Sequence, residues 1–194
     1  MAHGFVRPAR DADADQIARV QLSTWRTAYS RFIPRFAIDA MTPEWLTERW
    51  QAAITDPPSP RHHVLVAYEQ AAETHLVGFA AIGPADEAAL APGESPPDAA
   101  TTAAITDLLV EPRWGRRGHG SRLLAAAVDL WRGDGRRRAL AWAYQEDVAM
   151  VKFLTSTGWE PDGATRALDV EGVLVPQLRL HVSLEQPAEP ESVD

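Results

Sequence analysis

The chain has 194 residues, room for one domain and little for two, with 45% hydrophobic content and seven Trp to build a core. Nineteen basic against 27 acidic residues leave a net charge of −8, which argues against non-specific nucleic-acid binding. Zero Cys excludes disulfides, thiolate metal sites and a cysteine nucleophile. No apolar run approaches the roughly 18 residues of a membrane span, and no secretory leader opens the chain, so a cytoplasmic protein is expected.

Residues 5–8 read as a short strand ended by Pro8. Asp11, Asp13 and Asp15 then crowd a helix start, where carboxylates suit the positive end of the dipole. Ile17, Val20, Trp25 and Ala28 continue at roughly helical spacing, predicting a helix over residues 13–29. Ile33-Pro34 breaks it. Thr42-Pro43-Glu44-Trp45 opens a second helix with an N-cap hydroxyl, a first-turn proline and Trp45 as the expected first anchor. That helix stops at Asp56-Pro57-Pro58.

Residues 63–68 and 76–82 are apolar and β-rich, and read as a hairpin. Residues 83–102 carry four acidic residues, four Pro and no aromatic, and are expected to form a mobile surface insertion. A strand over residues 105–110 follows, then a glycine- and arginine-rich loop, then an amphipathic helix from Ser121 to Trp131. Residues 138–144 form the next strand, and a short helix from Asp147 to about Thr157 ends at Gly158. Two more strands are expected at residues 165–170 and 177–184, before a tail over residues 186–194 expected to be disordered. The order describes one α+β domain over residues 4–185, built on a mixed sheet.

Chemistry concentrates where residues 105–110 pass through the loop into the helix. Gly118 and Gly120 let backbone approach a ligand closely, and the first helical N–H groups lack intrahelical partners, so a phosphate would bind there. Arg116 and Arg117 could add charge-assisted hydrogen bonds, or be solvated arginines of an ordinary turn. The loop has no Lys for a P-loop and lacks the third glycine of a dinucleotide fingerprint.

The stretch from Leu108 to Leu124, with Val110-Glu111-Pro112 and then Gly115-Arg116-Arg117-Gly118-His119-Gly120 running into a helix, resembles the acyl-CoA pyrophosphate loop of the GNAT N-acetyltransferases. Phe153 through Gly158-Trp159 resembles the family's second hallmark, and Val6-Arg7-Pro8-Ala9 its N-terminus. The resemblance implies a GNAT-like domain whose central, mostly antiparallel sheet is flanked by helices. It implies acetyl-CoA or another acyl-CoA as co-substrate, with no metal. Leu109 and Val110 would pair with the pantetheine arm, and Arg116, Arg117, Gly118, His119, Gly120 and Ser121 would hold the pyrophosphate. Trp25 and Tyr29, one helical turn apart, would line the acceptor site or simply pack in the core.

The departures concern acid–base chemistry. Leu154 stands where the family has a tyrosine that protonates the thiolate, and Ala104 where a glutamate is common. The remaining catalytic candidates are Tyr144, Glu146 and Asp107, each of which also reads as ordinary packing or surface placement. Asp147 stands at an N-cap, His119 more naturally packs or caps than catalyses, and His62 and His63 have no metal-ligand spacing. Two functions follow. One is direct transfer of an acyl group from CoA to a primary amine in a ternary complex; the other is a non-catalytic acyl-CoA-binding module, a sensor or assembly partner. The expected partners are thus acyl-CoA and an amine, with no nucleic acid or membrane, and the C-terminal sheet edge leaves room for a homodimer.

Overall fold

The computed structural model describes residues 3–70, 72–95 and 100–185. Seven strands form one sheet: β1 (His3–Pro8), β2 (His63–Gln70), β3 (Thr74–Pro84), β4 (Thr102–Val110), β5 (Arg138–Tyr144), β6 (Glu160–Val170) and β7 (Val173–Ser183). Their order is β1-β2-β3-β4-β5-β7-β6, and only the β4–β5 pair is parallel. The helices are α1 (Ala14–Thr27), α2 (Arg35–Asp39), α3 (Pro43–Thr55), α4 (His119–Gly133) and α5 (Val148–Ser156). The α+β class and the mixed, mostly antiparallel sheet match the sequence reading.

Local chemistry explains the element ends. The Asp13 carboxylate precedes α1 and accepts from the Arg10 amide at 2.7 Å and from both Arg7 guanidinium nitrogens at 2.7 and 2.9 Å. Thr42 caps α3 by accepting from the Trp45 amide at 3.2 Å. Glu171 and Gly172 both take left-handed φ, 49° and 88°, the conformation a tight hairpin between β6 and β7 requires.

Residue alternation gives the sheet two packed faces. On one, Leu123, Leu124, Ala127 and Trp131 of α4 and Leu154 of α5 cover Leu65, Val77, Ala80, Leu108, Ala141 and Leu180. On the other, Ile17 and Leu22 of α1 with Leu46 and Trp50 of α3 cover Val64, Val66, Phe79 and Leu109. A buried hydrogen bond of 2.7 Å from Trp50 Nε1 to Gln21 Oε1 locks α1 to α3. Beyond β4, among the described residues, no α-helix covers this second face, only a short 3-10 turn at Glu87–Ala89. There Ala85 and Ala89 pack on Ala104 and Leu140 instead.

That packing bears on the segment expected to be a mobile insertion. Gly83 and Pro84 continue β3, and Thr102 already belongs to β4. Between them, the Ala88 carbonyl accepts from Arg166 Nη1 at 2.6 Å and the Ala89 carbonyl from Trp142 Nε1 at 3.2 Å. Glu94 takes a two-pronged contact from Arg179 at 2.5 and 2.6 Å. The anchors are long polar side chains of β5, β6 and β7, which the segment's own composition does not reveal. Residues 96–99 and the tail at 186–194 lie outside the described residues.

Three further differences have simple causes. Trp45 is not an anchor: it is 48% exposed beneath the Arg49 guanidinium, and Leu46 and Trp50 fill the core. Helix α2 is only five residues long and has no periodicity to detect. Strands β6 and β7 begin earlier than expected because they pair with each other as a long hairpin whose exposed polar residues carry little apolar signal.

Candidate active site

The site begins where two strands part. β4 and β5 pair only through Thr102–Ile105 and Arg138–Ala141. A bulge drives the separation: Ala81 faces Asp107 and Ile82 faces Ile105, leaving Thr106 as an extra residue that bends β4. Beyond it, residues 107–109 look across a slot of about 100 Å³ at residues 142–144, with Trp25, Tyr29, Asp147, Met150 and Leu154 as further walls.

The slot opens toward a longer cleft of about 680 Å³. One wall is the free edge of β4 at Leu108, Leu109 and Val110, and the other is α5 with Ala149, Met150 and Phe153. The far end is the loop into α4, with Arg116, Gly118, His119, Gly120 and Ser121 in its lining. Among the described residues, the amides of residues 116–121 donate to no other group, whereas those of Trp114, Gly115 and Arg122 are used. Gly118 caps α4 at φ 82° and Arg116 at φ 61° is also left-handed, which turns successive N–H groups toward the cleft. A long, mostly apolar trench that ends in free amides fits an apolar arm carrying a pyrophosphate.

Two of the expected phosphate ligands do other work. Arg117 is absent from the cleft lining; its Nη1 lies 3.1 Å from Glu69 Oε1, and its guanidinium stacks over Trp114 at 4.9 Å. His119 contributes backbone, but its ring is only 1% exposed, with Nε2 2.8 Å from Glu69 Oε2 at an angle short of a hydrogen bond. Burial holds its pKa below the ordinary value against the pull of Glu69. Glu69 of β2 thus underpins the loop from behind. Gly120 also has a different reason from close phosphate approach: a Cβ there would meet the Phe153 ring at 3.1 Å.

The slot gathers Trp25, Tyr29, Asp107 and Tyr144 and omits Glu146. Tyr29 is the hub of the aromatic wall, with ring centroids 5.7 Å from Trp25, 5.0 Å from Phe32 and 5.7 Å from Tyr144. Glu146 is exposed on the turn after β5 and lines neither the slot nor the cleft. Asp147 caps α5, accepting from the Met150 amide at 3.0 Å, with its side chain still on the slot wall.

Electrostatics single out Asp107. Its carboxylate keeps some solvent contact along the slot but is enclosed by protein, and burial pushes its pKa up to about 6, against a weak opposing pull from Arg49. Burial and then the Asp107 charge push the Tyr144 hydroxyl up to about 12. Tyr29 is pushed up as well, first by burial and then by Asp147. The slot therefore holds Asp107, poised to take a proton, beside the capping Asp147, and two hydroxyls that keep their protons at neutral pH. Leu154 is 2% exposed and Ala104 is buried, so neither position offers acid–base chemistry. Among the described residues no cluster of His, Asp or Glu is placed to hold a metal ion. Sequence reasoning missed Glu69 behind the loop and Gln177 and Arg166 beside the slot, because only strand pairing brings them there. Apart from that pairing they carry no local signal.

This cleft lies in a chain that belongs to the acetyltransferase (GNAT) family, whose model matches residues 22–159. Among solved structures, the chain is similar to yncA from Salmonella typhimurium, determined with its cofactor acetyl-CoA, at TM-score 0.66 and 18% identity over 98% of this chain and 99% of that one. It is similar to an N-acetyltransferase from Staphylococcus aureus Mu50 at TM-score 0.68 and 14% identity, over 94% and 99% of the two chains. It is also similar to the paia N-acetyltransferase from Thermoplasma acidophilum in complex with coenzyme A, at TM-score 0.64 and 14% identity over 93% and 99%. No curated protein matches the sequence significantly. No helix among the described residues is long and apolar enough to cross a membrane.

Proposed function

We propose that this chain is an N-acyltransferase that moves an acetyl or other short acyl group from acyl-CoA to a primary amine, with both substrates bound together. The observation that carries the reading is Asp107, a carboxylate raised to about 6 in a slot that opens directly onto the cleft with the free loop amides. Acyl-CoA, when bound, supplies the acyl group as an activated thioester.

The chain's own residues do the rest. The amides of residues 116–121 and the edge of β4 at Leu109 and Val110 hold and orient the donor. An amine reaches the slot as ammonium, and its nitrogen is not a nucleophile until a proton leaves; Asp107 takes that proton. Tyr144 is a hydroxyl donor beside the same space. The aromatic wall of Trp25, Tyr29 and Phe32 keeps bulk water from it.

A second reading, a non-catalytic acyl-CoA-binding module, is favoured by Leu154 and Ala104, which leave two customary acid–base positions apolar. The experiment is CoA-thiol release from acetyl-CoA over a panel of primary amines, alongside calorimetric CoA binding. Amine-dependent release with acylated product supports the transferase. Binding without release on any amine supports the module.

A further inference from the structure

Two arginines at the clefts, Arg116 of the loop and Arg166 of β6, have no carboxylate partner among the described residues; Arg116 lies at the far end of the larger cleft, whereas Arg166 lies beside the slot. Arg179 is paired with Glu94 and Asp162, Arg117 with Glu69, and Arg7 with Asp13. Arg166 has no carboxylate within ion-pair distance among the described residues. Its Nε donates to Gln177 Oε1 at 2.7 Å and its Nη1 to the Ala88 carbonyl at 2.6 Å, which leaves Nη2 without a partner. The guanidinium carbon lies over the Trp142 ring, 4.2 Å from its centroid. The Arg166 side chain is half-buried with no counter-charge among the described residues, and burial lowers its pKa against the pull of Tyr144, helped by the neighbouring Arg179 charge.

Strand register shows where this cation points its influence. Tyr144 faces Gln177 across β5–β7, and Gln177 faces Arg166 across β7–β6. Directly opposed residues share a face, so the three form one row running away from the slot. The pocket beside Arg166, of about 140 Å³, shares Ile105, Thr106, Trp142 and Gln177 with the lining of the slot that contains Asp107. The two spaces therefore adjoin, with Asp107 in the lining of one and the Arg166 guanidinium in the lining of the other. Asp86 also lines the outer pocket, but its Oδ1 caps the Ala88 amide and it does not pair with Arg166.

We propose that the acceptor is an amine that also carries a carboxylate, with the amine facing Asp107 and the carboxylate received by Arg166. This rests on the transferase reading above. A carboxylate supplies the counter-charge that the protein omits, and a planar guanidinium held by Trp142, Gln177 and Ala88 is pre-organised to receive it. Gln177 fixes the guanidinium from its edge. Two strand spacings, roughly 10 Å, separate β5 from β6, while the Arg166 side chain reaches back over Trp142, so the distance between the two ligand groups is set by chain length.

The test uses the full chain with acetyl-CoA and two series of acceptors. One is glycine, β-alanine, γ-aminobutyrate, δ-aminovalerate and ε-aminocaproate; the other is the alkylamines left when each carboxylate is replaced by hydrogen. The readout is the ratio of kcat/KM between members of a pair. The expected result is a ratio of about tenfold or more for at least one chain length, which collapses toward one in Arg166→Gln and is partly kept in Arg166→Lys. A ratio near one in the wild type overturns the proposal. So does a ratio that Arg166→Gln leaves unchanged, because a purely structural Arg166 would lower both series in proportion. If no amine in either series is acetylated, the transferase reading fails, and binding decides the anion site separately. Quenching or enhancement of Trp fluorescence by the amino acids but not the alkylamines, in the CoA-loaded protein and lost in Arg166→Gln, supports it. Absence of any such difference overturns it.

Discussion

At the donor end of the cleft, six consecutive residues at 116–121 present backbone amides, and any side chains that allow the turn would serve. At the proposed acceptor end, Trp25, Asp107, Tyr144, Arg166 and Gln177 come from α1, β4, β5, β6 and β7, and each would act through its side chain. The first end is a property of local backbone geometry, and the second of tertiary pairing. Damage to the two should therefore separate: donor-side changes alter CoA affinity, and acceptor-side changes alter turnover with CoA affinity kept.

The largest expected effect is at Asp107. Asp107→Asn should lower kcat/KM for amine acetylation by about 10²- to 10⁴-fold, while calorimetric CoA affinity stays within about twofold. The same variant should be more stable. A carboxylate with a raised folded-state pKa binds its proton more tightly when folded, so its effect on stability worsens as pH climbs from about 4 to about 6 and stays constant above. Asp107→Asn should accordingly raise Tm by a few degrees at neutral pH, read by calorimetry. A fall in Tm would mean that the carboxylate is held by interactions that outweigh its burial.

The next effect lies on the donor side. Gly118→Val forces a β-branched residue into φ 82° and should weaken CoA binding about tenfold or more, with the remaining turnover at saturating donor little changed. If it left affinity intact, the loop would not be the pyrophosphate site. Glu69→Gln should be gentler, a few-fold loss in CoA affinity, since it removes the Arg117 ion pair and the carboxylate beside the buried His119 ring without touching the amides. The smallest is Leu154→Tyr. Adding a ring and hydroxyl at a site 2% exposed, between the core and the slot wall, crowds both and should lower Tm by several degrees without a gain in kcat. A higher kcat would restore this position to the catalytic machinery.

The same comparison explains what was legible in the sequence. The loop could be read because a strand, glycines at fixed spacing and a helix start are neighbours along the chain. Strand β5 was read to the residue, since residues 138–144 alternate in side-chain size, Ala at every second position between larger residues. The acceptor end was half legible: Trp25 and Tyr29 share a helix face, and Asp107 is a charge within an apolar strand. Its pKa was not, because that depends on enclosure by α1 and β5 together. Glu146, equally acidic, lies outside the slot because β5 ends at Tyr144 and the turn carries it to the surface. Arg166 was illegible for another reason: register through β7 places it in the row of Tyr144, and no local pattern encodes that register.

The central claim is that Asp107 is the base that readies the amine, and the pH dependence of kcat/KM for amine acetylation tests it most directly. The wild type should show a rising limb centred near pH 6, as Asp107 loses its proton, separate from the higher limb of the amine itself. In Asp107→Asn the lower limb should vanish and only the amine's limb should remain. Persistence of the lower limb in Asp107→Asn, at a rate close to the wild type, would contradict the account.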